Sequence, residues 1–177
     1  MLECKDKFLN FNKLIDESND NKTIWSFDAK SFSLEHVNCF SIYINEKFFK
    51  KNNDDFKYSL GIILKESILN GFYHGNFNID SRIKDEEDGF KKFNEIVNQK
   101  IKENRYSLKK IKVTLEISEN KIILSVEDEG KGFDYKKYKP QDNAFYGRGI
   151  KLIKLNCDRV TWNKKGNKII MEKAVNG

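Results

Sequence analysis

Apolar residues recur along this chain in two rhythms. From Ser33 onward, Val37, Phe40, Ile44 and Phe48 repeat at three- and four-residue spacing, the stripe of an amphipathic helix, and Ser33 is suited to cap its start. Asn52-Asn53-Asp54-Asp55 breaks that helix and offers caps for a second. The pattern predicts this second helix from about Phe56 to His74, with Gly75 ending it. It is apolar around much of its circumference, so it is expected to lie buried against a sheet. The other rhythm is alternation. Thr23 to Phe27 reads as a strand; Ile111, Val113, Leu115 and Ile117, then Ile122, Leu124 and Val126, read as two more. The Ser118–Lys121 turn joins that pair as an antiparallel hairpin. Arg159 to Asn163 and Lys168 to Lys173 form a second hairpin across Lys165-Gly166-Asn167. Between the hairpins, Gly149 to Asn156 is predicted helical, with Ile150 and Ile153 facing inward and Leu152 a further candidate.

The segment from Asp80 to Ser107 is highly charged, yet Phe90, Phe93, Val97 and Ile101 keep helical spacing. It therefore reads as an amphipathic helical insertion at about 80–107. Residues 1–21 are polar and end in Ser18-Asn19-Asp20-Asn21, which predicts a frayed or loosely docked lead-in to one domain over 22–177. Helices combined with hairpin strands point to an α+β fold. The expected architecture is a two-layer α/β sandwich whose mixed, mostly antiparallel sheet is covered on one face by helices.

Composition narrows the class. At 177 residues the chain suits one domain with a real core. Charged residues make up 34% and the formal charge is +6, which suits an anionic ligand or partner. The lysines are scattered, with no block of five or more basic residues, so a nucleic-acid partner is not expected. Cys4, Cys39 and Cys157 are far apart and odd in number, which argues against both a disulfide framework and a zinc site. The start of the chain lacks the pattern of a signal peptide, and no apolar run approaches the ~20 residues of a membrane span. A reduced, soluble, cytoplasmic protein is expected.

Three short blocks carry the candidate chemistry. In Glu66-Ser-Ile-Leu-Asn70-Gly-Phe-Tyr-His74-Gly75-Asn76, residues four apart share a helix face. Glu66, Asn70 and His74 therefore form a row. A carboxylate there can orient or deprotonate a hydroxyl, and a neutral amide oxygen can bind Mg²⁺ beside phosphate. The ordinary alternative is a set of buried polar groups satisfied by the backbone, with His74 a structural residue at a helix end. In Asp128-Glu129-Gly130-Lys131-Gly132-Phe133, the acid at a strand end can accept from the exocyclic amine of adenine, and the glycines allow close approach of a flat base; a plain strand-to-loop turn is the alternative. In Gly147-Arg148-Gly149-Ile150, a helix start and an arginine can hold phosphate.

In this order the blocks resemble the asparagine box and the two glycine boxes of the Bergerat-fold (GHKL) ATPases, the superfamily of gyrase, the histidine kinases and MutL. Glu-x-x-x-Asn-x-x-x-His-Gly-Asn, Asp-Glu-Gly-x-Gly-Phe and Gly-Arg-Gly-Ile-x-Leu-Ile are most similar to its anti-sigma regulatory factor, or serine-protein kinase, branch, over about Trp25 to Lys173. The resemblance implies ATP and Mg²⁺ as cofactors. It makes Asn70 the metal ligand and Glu66 the catalytic base or water-orienting residue. Asp128 becomes the adenine reader, with Gly130, Gly132 and Phe133 around the base; His74 also belongs to the nucleotide site. Asp134–Tyr146 becomes a lid, and Gly147, Arg148, Gly149 and Ile150 the phosphate cradle. It implies a kinase acting on Ser or Thr of a STAS-type anti-anti-sigma partner, able to hold a sigma factor and to form a homodimer. A non-catalytic ATP-binding interaction module is the alternative. Two departures stand out. Gly71 replaces the family's alanine, which is expected to loosen the helix, and Asn167 replaces the threonine that often makes a second adenine contact.

Overall fold

A single row of side chains runs across the whole sheet: Ile15, Trp25, Val113, Val126, Ile169 and Trp162, each opposite the next. Its neighbour on the opposite face is Ile24, Thr114, Ser125, Ile170 and Thr161. Because successive strand residues point to opposite faces, the alternation read in the sequence becomes two chemically different surfaces. One joins the helices in the core. The other carries cross-strand ion pairs, Lys22–Glu116 at 3.3 Å, Lys168–Glu127 at 3.4 Å and Lys121–Glu172 at 2.9 Å.

The computed structural model describes residues 4, 11, 13–29, 33–136 and 148–175. Its elements are β1 (Ile15–Ser18), β2 (Lys22–Asp28), α1 (Leu34–Phe48), α2 (Asp54–Asn70), α3 (Gly89–Lys102), α4 (Asn104–Ser107), β3 (Lys110–Ile117), β4 (Lys121–Asp128), α5 (Gly149–Asn156), β5 (Arg159–Trp162) and β6 (Lys168–Ala174). The six strands lie in the order β1-β2-β3-β4-β6-β5, and every described pairing is antiparallel. This is an α+β, two-layer arrangement. Among the described residues no helix is long and apolar enough to cross a membrane.

The helices start where side chains can accept the first-turn N–H groups. Ser33 Oγ accepts from His36 N, and Asn53 Oδ1 accepts from Phe56 N at 2.8 Å. Helix α2 buries one face completely: Leu60, Ile63, Leu64 and Ile68 are each at most 1% exposed. Phe40 of α1 meets Trp25 and Phe27 edge-on, with ring centroids 5.4 and 4.9 Å apart. Such edge-to-face pairs add to the stabilisation from apolar burial.

Six expectations need correction. The lead-in is docked where it is described: Phe11 is buried against Phe27, Phe40 and Tyr43, and Ile15–Ser18 is the edge strand. The polar run after it is a tight turn, because Asn19 Oδ1 accepts from the N–H groups of Asn21 and Lys22. Cys4 and Cys39, expected as thiols, form a disulfide. Sequence separation hid this, since folding brings their Cα atoms to 5.3 Å, a span a disulfide can bridge. Gly75 does not end the second helix. After Asn70 the helix widens into a π turn, Gly71–Asn76, closed by Phe77 N–H donating to Phe72 O at 2.9 Å; such turns often mark functional sites. Phe90, in the first turn of α3, is 58% exposed, whereas Phe93 one turn later is buried and meets Tyr73. Leu152 is 37% exposed, because Ile153 occupies the inward position of α5.

Gly71 is also not a loose point. It keeps helical angles, and a Cβ there would come within 2.8 Å of Ile111 Cδ1. The missing methyl lets the helix settle closely onto β3.

Candidate functional site

The end of α2, its π turn, the loop after β4, the start of α5 and the β5–β6 turn surround one cleft of ≈ 310 Å³. Val126, Ile169 and Trp162, consecutive members of the row described above, contribute its apolar surface. Asn70 and His74 line it from the helix, and Gly149 and Ile150 from the start of α5. Asp128, Gly132 and Phe133 line it from the end of β4 and the following loop.

Asp128 is the last residue of β4. Its Oδ1 accepts from Gly130 N at 2.7 Å, and its backbone carbonyl accepts from Asn167 Nδ2. Burial pushes its carboxyl up to about 6; the Gly130 hydrogen bond, Lys165 and Lys109 pull in the opposite direction. Two glycines make room for this carboxylate. A Cβ at Gly75 would land on it, and a Cβ at Gly130 would collide with the Gly75 carbonyl. The glycine expected to stop a helix is thus needed for a close approach.

Gly132 and Gly166 are required for a different reason. Both have positive φ, +77° and +78°, and each presses its Cα face on the other turn, Gly132 against Lys165 O and Gly166 against Phe133 O. Both the conformation and the contact exclude a side chain. The β5–β6 turn is set by Asn163, whose Oδ1 accepts from Gly166 N at 2.8 Å and Asn167 N at 3.1 Å. With that oxygen engaged, Asn163 Nδ2 donates to Asn167 Oδ1 at 2.9 Å, and Asn167 Nδ2 in turn donates to Asp128 O. The chain of bonds fixes both amide orientations. Asn167 lines the cleft, but its first task is to hold the Asp128 backbone.

Glu66 and Asn70 lie side by side as helical spacing requires, both against Gly149. A Cβ on Gly149 would stand 2.8 Å from Glu66 Oε2 and 3.0 Å from Asn70 Nδ2. Burial pushes the Glu66 carboxyl above its ordinary value, partly countered by Lys65 and Lys84. Raising a carboxyl in this way brings its proton exchange closer to neutral pH. Lys84 comes from the insertion and rests on the Phe93 ring, 3.8 Å from its centroid.

His74 contacts the Ile79 carbonyl through Nδ1 at 2.7 Å. A carbonyl only accepts, so Nδ1 carries the proton. One side of the ring is open, but burial of its inner side pushes its pKa below the ordinary histidine value, with the Ile79 bond acting the other way. Its geometry serves the π turn first. Arg148 occupies the N-terminal flank of α5. Gly147 and most of the expected lid, residues 137–146, lie outside the described residues.

Some members of the site were not singled out from the sequence. Asn76 is fully buried; its Nδ2 donates to Lys110 O at 3.1 Å and its Oδ1 accepts from Glu129 N at 2.9 Å. It clamps the π turn to the start of β3 and to the loop behind Asp128. Its signal was its place next to Gly75. Asn163 was legible as the Asn that opens a Lys-Lys-Gly-Asn turn. Trp162 and Lys168 also line the cleft, where the pairing register places them, and Lys131 joins them from the loop after β4.

The residues present fit a magnesium–nucleotide. One carboxylate sits in a glycine cradle, apolar surface lies beside it, and Lys131 lines the opening. The N-terminal turn of a helix favours an anion, and Asn70 offers an uncharged oxygen of the type Mg²⁺ accepts. Comparison with models of known protein families finds no match, and comparison with curated proteins finds none either.

Proposed function

We propose that this chain binds Mg-ATP in the cleft and acts as a serine/threonine protein kinase of the anti-sigma regulatory factor type, a branch of the Bergerat-fold ATPases. Its substrate is a hydroxyl on a STAS-type anti-anti-sigma partner. The observation that carries this reading is convergence. The three sequence blocks, far apart along the chain, line one cleft or abut it, with Asp128 in a glycine cradle and Gly149 packed on both Glu66 and Asn70.

Phosphoryl transfer depends mainly on positioning and charge neutralisation. Asp128 would accept from the base amine, and Gly130 and Gly132 keep the loop around it in place. Asn70 would hold Mg²⁺, which supplies charge neutralisation at the phosphates. Arg148 and the first turn of α5 would face the phosphate chain. Glu66, raised by burial, would take the proton of the attacking hydroxyl. In this reading the chain works as a homodimer that exchanges between the STAS protein and a sigma factor.

The test is incubation of the chain with radiolabelled Mg-ATP and its cognate STAS protein. Label on a Ser or Thr of the partner, lost in Glu66→Ala, is expected. No transfer, or equal transfer by Glu66→Ala, overturns the kinase assignment; ATP binding without transfer leaves the interaction-module reading in its place.

A further inference from the structure

Among the described residues that line the cleft, the aromatic side chains are Phe133 and Trp162. Trp162 ends β5 at the edge of the sheet, and the row Val126–Ile169–Trp162 carries it across two strand spacings from β4. At ~4.8 Å per spacing this places it roughly 10 Å across the sheet. Asp128 and Trp162 therefore stand on opposite sides of the same apolar surface. Trp162 is only partly buried, so packing alone gives weak reason for an indole at this position.

The indole is held in place. Tyr135 stacks on it with centroids 5.4 Å apart and planes 15° apart, Phe133 meets it edge-on at 6.2 Å, and Lys154 Nζ lies 5.8 Å from its centroid. A ring already fixed by its neighbours loses little freedom when a ligand arrives, and aromatic side chains hold flat rings by stacking or by edge-to-face contact. Phe133, whose backbone is locked by the Gly132–Gly166 contact, adds a second ring at the same opening.

We propose that Trp162, supported by Phe133 and Tyr135, is a specificity-determining residue that receives the heteroaromatic base of the nucleotide and favours a purine over a smaller pyrimidine. This rests on the nucleotide reading of the cleft. It adds a contact on the far side from Asp128, one that responds to ring size rather than to the exocyclic amine.

Calorimetry of the full chain with Mg-ATP and with Mg-CTP separates the two ideas, because adenine and cytosine both carry an exocyclic amine but differ in ring area. The wild-type chain should prefer Mg-ATP. Trp162→Leu should weaken Mg-ATP roughly tenfold or more and narrow the ATP/CTP ratio, while Trp162→Phe restores most of it at an unchanged unliganded melting temperature. If Trp162→Leu does not fold, Phe133→Leu carries the same expectation for the ratio. An ATP/CTP ratio unchanged in the folded variant overturns the role of Trp162 while leaving nucleotide binding intact. A wild-type chain that binds neither nucleotide overturns the nucleotide reading and this inference with it.

Discussion

The Cα of Gly75 lies so close to the carboxylate of Asp128 that no side chain fits between them. A π turn at the end of α2 and a strand end are thereby locked together at the point where the base amine is expected. Gly75→Ala must push the carboxylate aside or shift the turn. The carboxylate is tethered by Gly130 N–H, so the cost to stability should be modest, ~1–3 kcal/mol, while Mg-ATP affinity should fall at least tenfold. Thermal unfolding and calorimetry on the same variant check this. A variant that binds as wild type would show that the approach has no functional role.

Asp128 titrates near 6 in the folded chain against 3.8 as its ordinary value. A carboxyl raised on folding stabilises the protein most below the unfolded value, and that contribution is lost as pH rises through the folded value. Asp128→Asn should therefore be more stable than wild type at pH 7–8, by ~1–2 kcal/mol after allowing for solvent screening. The difference should vanish towards pH 4. Protonation also removes an acceptor, so Mg-ATP affinity should decline as pH falls below about 6 in the wild type and change less in Asp128→Asn. Denaturant unfolding across that range gives the first quantity, calorimetry the second.

Asn76 makes two buried side-chain hydrogen bonds that join three separate segments. Asn76→Ala leaves the Glu129 N–H and the Lys110 carbonyl without these partners, and should destabilise the fold by ~2–4 kcal/mol. Asn76→Asp should do nearly as badly, since it keeps the acceptor for Glu129 but presents an anion to the Lys110 carbonyl. Urea unfolding of both variants decides it.

The Cys4–Cys39 bond closes a long loop over α1 and β2. Loop closure in the unfolded chain should make the oxidised protein ~2–4 kcal/mol more stable than the reduced one. Cys4→Ser should remove that difference, and Cys157→Ser should leave it unchanged. Melting with and without a dithiol reductant, beside thiol counting under denaturing conditions, measures both.

Much of this fold was readable because alternation and helical spacing are local. β3 and β4 follow their apolar positions closely, and Ser33 caps where a cap is expected. The candidate cleft was readable as residue types in order. What escaped depends on contacts between distant segments. Gly75 looked like a helix stop because glycine commonly is one; only Asp128 arriving from β4 shows the real constraint. The Cys4–Cys39 pairing and the burial of Phe11 depend on the start of the chain folding back across α1. Asn163 and Asn167 acquire their meaning from the β4 backbone they hold, which no local pattern encodes.

The most direct measurement is a calorimetric titration of the intact chain with Mg-ATP, repeated with Asp128→Ala and Asn70→Ala. Saturable binding at one site per chain, abolished by the first substitution and stripped of its magnesium dependence by the second, is the expected result. Absence of binding in the wild-type chain, or equal binding in both variants, would contradict the account.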